Sequence, residues 1–327
     1  MSIQPDISII VPCFNAERYL GVCLESLAAQ KTPVIEMIFI DDGSTDATGA
    51  LLDQFKEVEG RAVVRHIPNE GVSAARNLGI SMASGRYIAF LDADDAFEEN
   101  ALAILFREAS ASGADIVSAN HTLFDSDVGN RVPVEIEPVV QQPSEIVREI
   151  IHMHRIYNNL WNKLYKAELF AGGLRLDERV SIGEDALLNL QMYLHAGKVS
   201  HVPQKTYVYR IHSGSAMSSI SHYSEAHQPM IRSMEEILAG EGVKELYFRD
   251  FLQSVVWMDE KEKGIMAAMS LFNQKIRPLV LNRIDSQKIP ERDRQLFTIV
   301  QKGWFPAFYK SMRIREKLTG KRWGIRR

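Results

Sequence analysis

Cysteine is scarce: Cys13 and Cys23 are the only two in 327 residues, one in an apolar run and one on an apolar helical face. A disulfide scaffold is excluded, and free buried thiols are expected. Long hydrophobic runs are missing as well. The longest, residues 7–14 and 34–40, fall far short of the roughly 18 residues a membrane-spanning helix needs. The first six residues lack the basic start and apolar centre of a signal peptide, so the cytosol is the expected location. Several catalytic signatures are also absent. There is no Gly-x-Gly-x-x-Gly, Walker loop, His-Glu-x-x-His or Gly-x-Ser-x-Gly, so dehydrogenase, P-loop, zincin and hydrolase readings lack their marks.

Net charge is small, with 38 basic against 42 acidic residues and a balance of −4. With 46% apolar and 24% charged residues, the composition is that of an ordinary soluble protein, which excludes disorder and collagen. The length suggests about two domains. The small total conceals a gradient. Residues 1–100 carry 7 basic and 16 acidic side chains, a net of −9, whereas residues 300–327 carry 9 and 1, a net of +8. The two ends therefore face different partners.

Strand and helix patterns alternate through the first 120 residues. A β-branched apolar run at 6–12 precedes a helical spacing of Tyr19, Leu20, Cys23, Leu24 and Leu27. Further strands are expected at 34–40, 62–67, 86–91 and 115–119. Helices are expected at 46–56, 72–82 and 100–112, the last closed by Gly113. Such alternation implies right-handed βαβ units, a mostly parallel Rossmann-like sheet flanked by helices, and ligands at the carboxyl ends of the strands. Between 120 and 143, Pro133, Pro138 and Pro143 interrupt the chain, which reads as an irregular insertion or a short hairpin. Helices are expected at 144–155 and 184–195, with extended pieces broken by Pro203 at 199–211. A loop follows at 213–221, and a domain change near residue 222 leads into a helical remainder.

Two acidic clusters fall at strand ends. Asp41-Asp42-Gly43-Ser44-Thr45-Asp46 can be an Asp-Gly turn with a capping residue, but capping does not require two consecutive acids. A strand-end carboxylate could instead accept protons from a uracil imide or ribose hydroxyls. Asp92-Ala93-Asp94-Asp95 offers alternate carboxylates that suit a hard divalent cation with a nucleotide diphosphate; the plain reading is an acidic helix start. Together the clusters point to a metal-dependent nucleotide site.

The segments ISIIVPCFNAERYLGVCLESLAAQ (7–30), FIDDGSTD (39–46), NEGVSAARNLG (69–79) and IAFLDADD (88–95) resemble the family 2 glycosyltransferases of the GT-A fold. That resemblance implies a catalytic domain at 1–221, with a nucleotide-sugar half (1–120) and an acceptor half (121–221). A helical C-terminal extension at 222–327 would follow. It implies Pro12, Phe14, Asn15 and Asp41 at the nucleoside, Asn69 and Arg76 near ribose, diphosphate or sugar, and Asp92 and Asp94 around Mn²⁺ or Mg²⁺. Arg76 has a plainer reading as a surface helix residue. Glu184-Asp185 resembles the family's base motif, with Asp185 as general base; dipole complementation at a helix start is the plain alternative. One base and direct displacement imply inversion.

Trp161-Asn162-Lys163-Leu164-Tyr165 resembles a segment of bacterial members. Trp161 is either an acceptor-stacking ring or core, and Lys163 is a candidate contact to a phosphate or acceptor anion. Arg210 and His212 precede the late loop and are candidates for diphosphate and metal; a lone histidine is as readily structural. The tail 304–327 mixes aromatics with basic residues, as in an interfacial helix or a solvated face packed on the protein. The expected partners are a nucleotide sugar, most simply a UDP-sugar, and a glycan or lipid-linked oligosaccharide of surface polysaccharide synthesis, with no nucleic acid. The expected activity is hexosyl or N-acetylhexosaminyl transfer, cytoplasmic or peripheral on the cytoplasmic membrane face. Two rivals stand beside it: a sugar nucleotidyltransferase, which would want a glycine-rich loop after the first strand, and a catalytically degenerate scaffold.

Overall fold

The computed structural model describes residues 4–136, 142–151 and 158–212, with parts of 229–237, 266–277 and 289–307. The chain divides into two compact units. One comprises Met1–Ile150 with His154–His222, the other Ile151–Met153 with Tyr223–Arg327.

The first unit is built on one nine-stranded sheet among the described residues: β1 (Ile7–Cys13), β2 (Ile35–Asp42), β3 (Ala62–Ile67), β4 (Tyr87–Phe90), β5 (Ala96–Phe97), β6 (Ile116–Asp125), β7 (Asn130–Val134), β8 (Lys163–Lys166) and β9 (Val199–Ile211). Their spatial order is β3-β2-β1-β4-β8-β6-β9-β5, with β7 paired to β6. The helices α1 (Glu17–Ala28), α2 (Thr48–Val58), α3 (Val72–Met82), α4 (Ala101–Ser112) and α5 (Pro143–Ile151) come from the same unit, as does the helix Glu184–His195.

β1 is central because almost every residue in it can be buried on either face. Ile7, Ile9 and Val11 share a core with Leu20, Leu24 and Leu27 of α1 and with Leu102 and Leu105 of α4. On the opposite face Ile10 meets α3, where a Cβ on Gly79 would come within 2.4 Å of the Ile10 Cγ2. Only glycine lets that helix sit so close to the strand. The parallel run β3-β2-β1-β4 is the expected Rossmann-like half, and it brings Asp41 level with Cys13. β4 ends at Phe90, and Asp92 follows two residues later.

Beyond β4 the pairing becomes mixed. β8 lies antiparallel between β4 and β6. Its short, half-polar sequence gave no strand pattern, and its start falls at the edge where β4 ends. The turn before Lys163 therefore approaches the acidic clusters. β6 runs six residues beyond its expected end and folds back as a hairpin with β7. β9 is one strand rather than pieces broken at Pro203. Its register against β6 slips between Ala119 and His121, and the Pro203 carbonyl accepts a hydrogen bond from the Asn120 side chain at 2.9 Å. Proline sits in a bulge where no ladder N–H is required.

In the second unit, the helix Glu291–Gln301 buries Leu296, Phe297 and Val300, and Phe272 meets Phe305 edge-on at 5.4 Å. Among the described residues no helix is long and apolar enough to cross a membrane. Lys302 lies over the ring of Trp304; the tail from residue 308 and the loop 213–221 lie outside the described residues.

Candidate active site

The loop after β1 and the loop after β2 are laced together. Asn15 takes a left-handed conformation (φ 46°), its N–H donates to Ser44 Oγ at 3.0 Å, and its Oδ1 accepts from the Thr45 N–H at 2.8 Å. Asp46 precedes the Ala47 cap of α2 and accepts the Thr48 N–H at 3.0 Å, so that acid serves the local turn into the helix. Pro12 is half-buried and Phe14 half-exposed at the strand end, beside this clasp. Cys13 and Cys23 are free and buried, and burial pushes both thiols well up.

Asp41 and Asp42 serve different ends because consecutive strand residues point to opposite faces. Asp41 accepts the Ser44 N–H at 3.1 Å and pairs with His66 Nδ1 at 2.7 Å. Burial acts to raise its carboxyl, but the Ser44 and His66 hydrogen bonds outweigh it and hold the group below its ordinary value. His66 is raised in turn, first by that bond. Asp42 accepts the N–H groups of Glu70 and Gly71 at 2.7 and 2.9 Å, fixing the turn that launches α3. Gly43, at φ 71°, makes the same join possible, since a Cβ there would lie 2.6 Å from the Asn69 nitrogen. Asn69 itself is exposed.

α3 delivers Arg76. Its guanidinium is buried and reaches three acids from two distant elements. Nη2 lies 2.8 Å from Asp92, and Nη1 lies 2.7 Å from Asp185 and 3.2 Å from Glu184; Nε is buried without a partner. Burial opposes the charge, but Asp185, Asp92 and Glu184 together raise the arginine further. Asp185 and Glu184 are both held above the usual carboxylate range, burial being the largest cause and Arg76 the main offset. Arg76 is thus no surface helix residue.

The acids after β4 divide in a similar way. Asp94 meets His212 Nε2 at 3.1 Å, and its carboxyl is raised by burial and by the charge of Asp92. Asp95 is buried, accepts the Tyr207 hydroxyl and the Arg210 N–H, both at 2.7 Å, and is raised well up, mainly by burial. Arg210 Nε donates to the Asp94 carbonyl at 2.7 Å, while its guanidinium lies about 5 Å from the rings of Tyr19 and Phe124. Tyr19 also packs against His212 at 4.5 Å. Among the described residues no group of three or more His, Cys, Asp or Glu is set to hold a metal ion; Asp94 and His212 form a pair.

A family model described as glycosyl transferase family 2 matches residues 8–172, half of the chain. The chain belongs to glycosyl transferase family 2. It is 34% identical over 223 residues to the glycosyltransferase GlyA of Streptococcus pneumoniae serotype 4, covering 66% of this chain and 32% of GlyA. It is 35% identical over 211 residues to the uncharacterized glycosyltransferase EpsJ of Bacillus subtilis, covering 63% of this chain and 61% of EpsJ. The matched stretch therefore spans less than two thirds of either relative. The fold is similar to that of S. aureus TarS 1-349, solved in complex with UDP-GlcNAc, with a TM-score of 0.69, 19% identity, and coverage of 98% of this chain and 93% of that one.

Within this family 2 chain, the acceptor-side candidates are Trp161, in the turn before β8, and Lys163, the first residue of β8. Trp161 stacks on Tyr207 and Tyr209 at 4.7 and 5.2 Å and meets His121 edge-on, so the ring is already engaged by the sheet. Lys163 is turned inward rather than toward an acceptor anion. Its ammonium is buried and donates to the Asn159 carbonyl at 2.6 Å and to the side-chain oxygens of Asn162 and Asn159 at 3.1 and 3.3 Å. Burial pushes this amine down to about 7.

The residues that hold the candidates in place were not visible in the motifs. Asp42 and Asp95 stand in the motifs only as neighbours of the candidate residues, and the adjacent pair Asp94-Asp95 is the one signal that could single out Asp95. Tyr207 carries no local signal, because its partner Asp95 is 112 positions away.

Proposed function

We propose that this chain catalyses inverting transfer of a hexosyl or N-acetylhexosaminyl group from a UDP-sugar to a glycan or lipid-linked oligosaccharide acceptor in surface polysaccharide synthesis. The observation that carries the reading is the shared guanidinium of Arg76. It ties Asp92, at the strand end expected to face the donor, to Asp185, the expected base, through contacts of 2.8 and 2.7 Å. A base and a donor site must sit together for direct displacement, since the acceptor hydroxyl loses its proton as it attacks the anomeric carbon.

Asp185 is suited to that task. One oxygen is held by Arg76 at 2.7 Å, and the other faces the Leu160 N–H at a long 3.4 Å, a contact loose enough to give way to a hydroxyl. Burial keeps its carboxyl more basic than a free aspartate. Arg210, nine-tenths buried and flanked by two aromatic rings, presents a planar cation suited to a diphosphate. Asp41 and the Asn15 clasp would face the nucleoside, beside Pro12 and Phe14, with Asn69 near the ribose.

Mn²⁺ or Mg²⁺ fits beside Asp94 and His212. The carboxylate and the imidazole meet at 3.1 Å at the strand end, and such ions can take one or two protein ligands and fill the rest with water and phosphate. When bound, the ion would offset charge developing on the leaving diphosphate. A panel of nucleotide sugars with Mn²⁺, followed by UDP release, tests the reading. Turnover with a UDP-sugar is the expected result. No turnover, with no rise in melting temperature on adding UDP and Mn²⁺, would favour a scaffold.

A further inference from the structure

A buried lysine that meets only neutral partners is unusual, because taking an ammonium out of water is costly unless it is compensated. Lys163 has no carboxylate within ion-pair distance among the described residues, and its three acceptors all belong to the turn just before it. That turn is tied at every residue. Asn162, at φ 55°, donates to the Ala119 carbonyl at 2.6 Å. Asn159 donates to Asn162 Oδ1 and to the Trp161 carbonyl. From the helix Glu184–His195, Asn189 donates to the carbonyls of Asn158 and Asn159, and Tyr165 donates to Asn189 Oδ1 at 2.7 Å.

The turn's two outward products are the Leu160 N–H, which faces Asp185 Oδ2, and the Trp161 ring, stacked on Tyr207. A contact of 3.4 Å is soft, so small changes in the turn alter it steeply. We infer that Lys163 is a positioning residue for Asp185: its ammonium gathers Asn159 and Asn162 into the one turn geometry that sets the Leu160 N–H against the base. The inference rests on the reading of Asp185 as general base. It assigns the Trp-Asn-Lys segment to the base side of the reaction instead of to acceptor binding. Buried amides and an ammonium are sensible tools for this, since each donor and acceptor constrains one backbone atom of a short loop.

The experiment is a carbon NMR titration of the full chain carrying carboxyl-labelled aspartate, with the Asp185 signal assigned by its loss in Asp185→Asn. Wild type is compared with Lys163→Met and with Asn162→Gly, which tolerates the positive φ and keeps the lysine charge. The Asp185 midpoint is expected to rise in both variants, by about half a unit or more, while Asp41 stays in place. A rise in Asn162→Gly isolates the turn from the loss of charge. If Lys163→Met fails to fold, Asn162→Gly decides; if Asn162→Gly fails to fold, the turn supports the core and the inference is overturned. An unmoved Asp185 in a folded variant overturns the inference, and so does failure of both to fold, because the turn would then support the core and not the base. Turnover of Asp185→Asn in the nucleotide-sugar panel separates the two ideas. Normal transfer by that variant removes the base reading and this inference with it; a dead Asp185→Asn beside an unmoved midpoint removes this inference alone.

Discussion

Arg76 and Asp185 meet at 2.7 Å across 109 positions of chain, joining α3 to the helix Glu184–His195. The pair is buried, and the same guanidinium holds Asp92 and Glu184. Removing it would leave three acids facing one another without a cation. Arg76→Met is therefore expected to cost about 3–5 kcal/mol of stability, as breaking a buried ion pair does. Carboxyls raised further in the folded state lose stabilisation as pH rises through their folded values, so the deficit should grow from pH 5 to pH 8. Urea denaturation across that range checks both size and sign. Arg76→Lys should recover only part, because a single ammonium cannot span Asp92 and Asp185 as a planar fork does.

Asp185→Asn should lower sugar transfer by about 10²–10⁴-fold, the usual contribution of a general base, and leave UDP binding in place. The wild-type kcat should climb with pH along an acidic limb above the ordinary aspartate value, since burial favours the protonated form. UDP release measured against pH, with UDP affinity taken by calorimetry, checks the two halves. A variant that turns over at the normal rate would remove Asp185 from the mechanism.

His66 and Asp41 give a stability signature of opposite slope to most carboxylates. The histidine is raised by its bond to Asp41, so its contribution is complete below the unfolded value of about 6.5 and is lost as pH climbs through the folded one. His66→Gln should thus lose most melting temperature near pH 6 and little at pH 8.5. Thermal melts at the two pH values decide it. An equal loss at both would mean that the ring matters by packing and not by charge.

Half of this architecture could be read from spacing alone, and the reason lies in distance along the chain. β1 to α4, apart from the two-residue β5, follow from apolar period, turn residues and glycine stops, all local signals, and the two acidic clusters declare themselves because each sits at the end of a strand. What escaped depends on partners far apart. β8 is four residues inserted antiparallel between β4 and β6, and no periodicity distinguishes so short a piece. Lys163 reads as a contact for a phosphate or acceptor anion until the turn before it folds back over its ammonium. Arg76 was legible as a candidate, but its three acids come from positions 92, 184 and 185, which only the fold assembles.

The basic tail, from position 308 outside the described residues, is open to a direct test. Nine basic residues from Lys302 onward, interleaved with Phe305, Phe308, Tyr309 and Met312, should draw the chain to anionic vesicles at low salt. Flotation of the full chain and of a version lacking residues 303–327 checks it. The full chain should float and the shortened one should not, with binding lost as salt is raised. If neither floats, the tail has no membrane role.

Tyr207→Phe tests how the strand-end acids are held. The hydroxyl donates to Asp95 at 2.7 Å and accepts the Asp92 N–H at 3.2 Å, while the ring stacks on Trp161. Phenylalanine keeps the stack and deletes one oxygen, leaving a buried carboxylate oxygen and a backbone N–H without their partner. The expected cost is about 1–3 kcal/mol, read as a lower urea midpoint at unchanged slope. Asp95 is already raised well up by burial, and losing a donor to its charged form raises it further. The variant's deficit should therefore be largest at high pH and shrink as pH falls and Asp95 takes up its proton. A deficit that is flat with pH would show that the hydroxyl serves the Asp92 N–H alone, and would move the anchoring of this turn from Asp95 to the backbone.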